Sequence, residues 1–111
     1  MAYFKLERGW QSSPCFVDND DRMAWVWLIE AACWEETTIG VRGAPIKLYR
    51  GQCFYSVRFL AEAWRVTPKK ARIILERFKK WQMIVTENGE QEGKLGTLIT
   101  ICNYCKYIEG A

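Results

Sequence analysis

Residues 56–81 read SVRFLAEAWRVTPKKARIILERFKKW, and the rest of the chain is read outward from them. Val57, Leu60, Ala61 and Trp64 recur at helical spacing behind Ser56, a residue type that caps helices. Ala71, Ile74, Leu75, Phe78 and Trp81 form a second apolar stripe. Thr67 opens it as a cap, and Pro68 takes the first helical position, where its missing N–H removes no hydrogen bond. Two helices turning at Arg65-Val66 are expected. Within positions 65–80, Arg65, Lys69, Lys70, Arg72, Arg77, Lys79 and Lys80 face only Glu76, a local balance of +6 in a chain whose total is +3. Positive charge is concentrated on one element, which implies a polyanionic partner.

Upstream, Asp18-Asn19-Asp20-Asp21 supplies cap residues and first-turn acids, which suit the positive end of a helix dipole. Trp25, Leu28, Ile29 and Ala32 then follow a helical period, with Met23 and Trp27 extending the face. A first helix over 21–34 is expected. Positions 18–36 hold six acids and one arginine, so this region is expected to face away from any polyanion. Alternation and β-branching over 37–42 and 46–49, separated by Gly43-Ala44-Pro45, predict a β-hairpin. Arg50-Gly51-Gln52 reads as a turn into a short strand, Cys53-Phe54-Tyr55. The apolar run at 2–6 reads as an edge strand or an extended arm.

Downstream of the basic helix the period switches to two. Positions 83–86 and 97–101 read as strands, joined by the polar, glycine-containing ENGEQEGKLG at 87–96. Helix, turn, helix and then a two-stranded ribbon is the order of a winged helix-turn-helix. The expected fold is thus α+β and mainly helical. It comprises a three-helix core, a small antiparallel hairpin as the wing, and an additional hairpin between the first and second helices. At 111 residues the chain suits one domain, 1–111.

Composition closes several functional classes. Half the residues are hydrophobic and six are tryptophan, which excludes global disorder. No apolar run approaches the roughly 20 residues of a membrane span, and the N-terminus lacks a signal-peptide core, so a cytoplasmic protein without membrane contact is expected. Five scattered cysteines, Cys15, Cys33, Cys53, Cys102 and Cys105, argue for free thiols rather than a disulfide framework. The absence of histidine removes Ser-His-Asp and Cys-His nucleophiles and any His-ligated metal. Neither GxxxxGK[ST] nor GxGxxG occurs. Adjacent carboxylates such as Asp20-Asp21 and Glu35-Glu36 diverge on a helix and make poor acid–base pairs. The expectation is a non-enzyme with no cofactor and no metal.

Several stretches together resemble the winged-helix domain at the N-terminus of phage and prophage replisome-organiser (replication initiation) proteins. They are Phe4-Lys5-Leu6, Ser13-Pro14, the Trp-rich first helix, Ile46-Lys47-Leu48 with Arg50-Gly51-Gln52, and Ser56-Val57-Arg58-Phe59-Leu60-Ala61. Gly96-Thr97-Leu98-Ile99-Thr100-Ile101-Cys102-Asn103-Tyr104 is the most distinctive. The resemblance spans nearly the whole chain and implies binding of double-stranded DNA through the helix at 67–81, in replication initiation or transcription regulation. The sequence departs from it at Trp81-Gln82-Met83, where related domains often end the helix with glycine.

In a helix-turn-helix the start of the second helix enters the major groove while flanking residues grip phosphates. Thr67, Lys69, Lys70, Ile73 and Arg77 are the groove-facing candidates, since Lys and Arg suit guanine O6/N7 and Ile73 a thymine methyl. Arg72 joins them on the basic helix. Ser56, Arg58 and Arg65 are expected near the DNA backbone, and Lys94 is the one wing residue suited to it. The bland alternative is a solvated face, but such faces normally interleave both signs. Glu87, Glu90 and Glu92 weaken the wing's grip. Cys102-Asn103-Tyr104-Cys105 is a lone CxxC, better read as two incidental thiols than as half of a zinc site. Trp25, Trp64 and Trp81 are expected in the core rather than as base-stacking platforms. A homodimer and a partner in the replication or transcription machinery are further expectations. A protein–protein adaptor in a DNA-processing or regulatory complex is the first rival reading, and a small metal or redox protein built on the CxxC is the second.

Overall fold

A computed structural model of the chain describes residues 3, 4, 6, 8–88, 96–106, 108 and 109. The fold is α+β, with three α-helices and small antiparallel sheets among these residues. In chain order they are β1 (Tyr3–Phe4), α1 (Asn19–Ala31), β2 (Thr37–Val41), β3 (Ala44–Leu48), β4 (Gln52–Tyr55), α2 (Val57–Trp64), α3 (Pro68–Lys80), β5 (Ile84–Asn88), β6 (Thr97–Ile101) and β7 (Ile108–Glu109). A three-stranded sheet runs β4-β6-β5, with β2-β3 as a separate ribbon and β1-β7 pairing the two ends of the chain. No helix among the described residues is long and apolar enough to cross a membrane.

The caps expected at the two central helices are formed. Ser56 Oγ accepts from the Phe59 amide at 3.0 Å and Thr67 Oγ1 from the Lys70 amide at 3.1 Å, each pairing a donor the helix leaves free. Leu60, Ala61 and Trp64 of α2 and Ala71, Ile74, Leu75 and Phe78 of α3 are buried. Trp25 of α1 meets Phe78 edge-on at 5.5 Å, a favourable arrangement for aromatic quadrupoles. Inward-facing Cys53, Ile99 and Ile101 close the core from the sheet side.

Four local expectations are corrected. Helix α1 begins at Asn19, capped by Asp18, and stops at Ala31 rather than 34. Cys33 pairs with the entry to β4 instead, donating to Gln52 O at 2.9 Å and accepting from Gly51 N at 2.7 Å. Met23, assigned to the apolar face, is exposed. The β2–β3 turn is Arg42-Gly43, both with positive φ (49° and 82°), a two-residue connection whose twist matches the strands. Ala44 and Pro45 belong to β3, since a two-stranded ribbon tolerates proline along its unpaired edges.

Trp81 is the fourth correction. It is 50% exposed, because α3 ends at Lys80 and Trp81 is its cap. The Gln82 amide donates to Lys79 O at 3.0 Å and the Met83 amide to Phe78 O at 2.9 Å, the paired bonds of a Schellman ending. Gln82 holds the left-handed position, φ 59°, that glycine occupies without a side-chain clash. Gln82→Gly is therefore expected to stabilise the fold by about 0.5–1 kcal/mol. A higher denaturant midpoint at an unchanged slope checks this.

Candidate nucleic-acid interface

Helix α2 also ends on a non-glycine residue in the left-handed region, Arg65 at φ 58°. The Val66 amide donates to Ala61 O at 2.9 Å and the Arg65 amide to Glu62 O at 3.2 Å. This closure and the Thr67 cap set the angle at which α3 leaves α2. The buried stripe of α3 turns Lys69, Arg72, Ile73, Glu76 and Lys80 to the exposed side, with Ile73 42% exposed. The first turn of α3 holds Lys69 and Lys70 and no acid. Cations are unfavourable at that end of a helix dipole, so local stability does not explain their placement.

The two flanks of α3 differ. On one side Lys70 Nζ meets Asp18 Oδ2 at 2.8 Å, and Arg77 donates through Nη1 to Asp21 Oδ2. Asp21 is fully buried; the same oxygen accepts from the Val17 amide at 2.7 Å, while its Oδ1 has no partner among the described residues. The hydrogen bond from Lys70 holds the Asp18 carboxyl below its ordinary 3.8 and raises the Lys70 ammonium. Two of the acids expected to face away from any polyanion, Asp18 and Asp21, thus lie directly against the basic helix. Asp18 caps α1 by accepting from the Asp21 amide at 3.1 Å, so the capping acid and the ion-pairing acid are one residue.

On the exposed side Lys79 meets Glu76 at 3.2 Å, a pair open to solvent and worth little. Arg65, Lys69, Arg72 and Lys80 have no ion-pair partner among the described residues. Ser56 is half-buried and committed to its cap; Arg58 and Thr67 are exposed. The structure therefore brings Lys69, Arg72 and Ile73 onto one accessible face, with Thr67 at its start. Lys70 and Arg77 sit on the α1 flank, held by acids. Lys94 and most of the β5–β6 connection lie outside the described residues. Lys80 and Glu76 share the open face without having been chosen from sequence; their helical phase, opposite Ile74 and Phe78, was the available signal.

The remaining motifs carry less. Cys102 is half-buried and Cys105 exposed, and no group of three or more metal-ligating side chains stands together among the described residues. Burial, with Cys33 nearby, pushes the Cys53 thiol up to about 12, which leaves it protonated and unreactive. Trp27, Tyr55 and Phe59 form an aromatic cluster above Trp64, with Tyr55 and Phe59 stacked at 4.9 Å.

Comparison of the chain with protein-family models, with curated proteins and with solved structures finds no match.

Proposed function

We propose that this chain is a non-catalytic, winged helix-turn-helix binder of double-stranded DNA, with α3 in the major groove and β5–β6 as the wing. The observation that carries the reading is the open face of α3. Lys69, Arg72 and Lys80 lie there without ion-pair partners among the described residues, around a half-exposed Ile73. The surrounding order supports it: β4, α2, a short turn, α3, then a β5–β6 ribbon whose second strand pairs back with β4. Cationic side chains supply affinity through phosphates, and side chains at the start of α3 supply sequence preference. The cellular setting we propose is cytoplasmic, in phage or prophage replication initiation or in transcription control.

Fluorescence anisotropy with a mixed-sequence duplex tests this directly. If about five cations engage phosphates, log K falls with log salt at a slope of about −4 to −5. No binding at low salt, or a slope near zero, rejects the reading. Selection from a random duplex library then identifies the preferred site. The protein-adaptor reading draws on a different surface, the Trp27–Tyr55–Phe59 cluster, where Phe59 is 47% exposed.

A further inference from the structure

On the flank of α3 away from Asp18 and Asp21, a cleft of about 270 Å3 opens between the helix and the three-stranded sheet. Val57 lines it from α2, Arg72, Glu76 and Lys79 from α3, and Thr86 and Thr97 from β5 and β6. Thr97 is only 9% exposed, and its hydroxyl, not sealed from solvent, has no hydrogen-bond partner among the described residues. Thr97 lines a cleft that also presents a guanidinium and an ammonium. Ser56 caps the Phe59 amide, which leaves the first amides of α2, beginning at Val57, as unpaired donors at the same edge.

We propose that this cleft is a phosphate site, in which Arg72, Lys79 and the Thr97 hydroxyl hold one oxyanion. Arg72 supplies a forked donor suited to phosphate oxygens. Lys79 is shared between the oxyanion and Glu76, whose carboxylate it already neutralises at 3.2 Å. The Thr97 hydroxyl donates the short bond that fixes position. Arg72 and Glu76 belong both to this cleft and to the open face of α3, so a phosphate seated here flanks whatever α3 contacts. On the DNA-binding reading, on which this inference rests, it is a backbone phosphate. The site places a grip on the wing side of α3 without requiring the acidic wing connection to touch DNA.

The test uses the full chain and two probes, inorganic phosphate and duplex DNA, on wild type, Thr97→Val and Lys79→Met. Thr97→Val keeps the shape and deletes the hydroxyl. Lys79→Met, at an exposed position, serves if the valine variant fails to fold. Phosphate should shift the amide resonances of Thr86, Thr97 and Val57 in wild type, and each variant should weaken that response. Duplex affinity should fall about tenfold in either variant and equally for every sequence, and Lys79→Met should flatten the salt slope by about 0.9. Phosphate shifts without any duplex binding would leave the site standing for a free phosphate group while the DNA reading fails. Duplex binding unchanged in both variants, with no phosphate response at these amides, overturns the proposal and leaves the DNA reading intact.

Discussion

Replacing Lys69 and Arg72 together by glutamate is expected to lower duplex affinity by at least about 100-fold, because each loses a charged hydrogen bond worth about 1.5–3 kcal/mol. The salt slope should flatten by about 2. Fold stability should stay within about 0.5 kcal/mol, as expected for exposed positions. Both side chains are exposed and without ion-pair partners among the described residues. A glutamate at position 69 also stands in the first turn of α3, where the helix dipole favours an acid. The choice of sites matters. Reversing Lys70 instead would set a carboxylate against Asp18, now 2.8 Å from the Lys70 ammonium, and lost binding would then be confounded with a disturbed α1–α3 junction. Unchanged anisotropy titrations of the Lys69→Glu, Arg72→Glu double variant would remove the DNA reading altogether.

That contrast marks where sequence reasoning reaches its limit. Ser56, Thr67 and Pro68 announce two helices through interactions confined to four residues, and the caps form where local chemistry places them. The period-two runs give β5 and β6 for the same reason, since alternation is a property of the strand itself. The ionic partners of the basic helix are 52 and 56 residues away. Nothing near Lys70 or Arg77 distinguishes them from Lys69 or Arg72; all four are cations on one amphipathic helix. Only the packing of α1 across α3 sorts them into held and free. The end of α1 is set in the same way, because the backbone of Cys33 leaves the helix to pair with Gly51 and Gln52. Trp81 continues the apolar stripe of α3, but the Schellman ending turns the chain before that stripe can be used. The charge of the candidate site was therefore legible, and its geometry was not.

Arg77 carries the sharpest consequence of that sorting. Arg77→Met is expected to destabilise the fold by about 3 kcal/mol or more, because removing one member of a buried ion pair strands the other. In a domain of this size that lowers the melting temperature by about 10 °C or more. Asp21 is fully buried, its Oδ2 shared between the Val17 amide and Arg77 and its Oδ1 without a partner among the described residues. Without the guanidinium, that carboxylate keeps a single backbone donor. Adding Asp21→Asn to Arg77→Met should recover much of the loss, since the asparagine oxygen can still accept from Val17 and no charge remains buried. A double-mutant cycle followed by thermal denaturation reads the recovery as a coupling energy. Duplex affinity per folded molecule should change much less than in the Lys69→Glu, Arg72→Glu variant, because Arg77 is turned to α1. The opposite pattern, a normal melting temperature with DNA binding lost, would mean that Arg77 leaves Asp21 for the duplex. The acidic end of α1 would then act as a competitor of DNA rather than as a strut for α3.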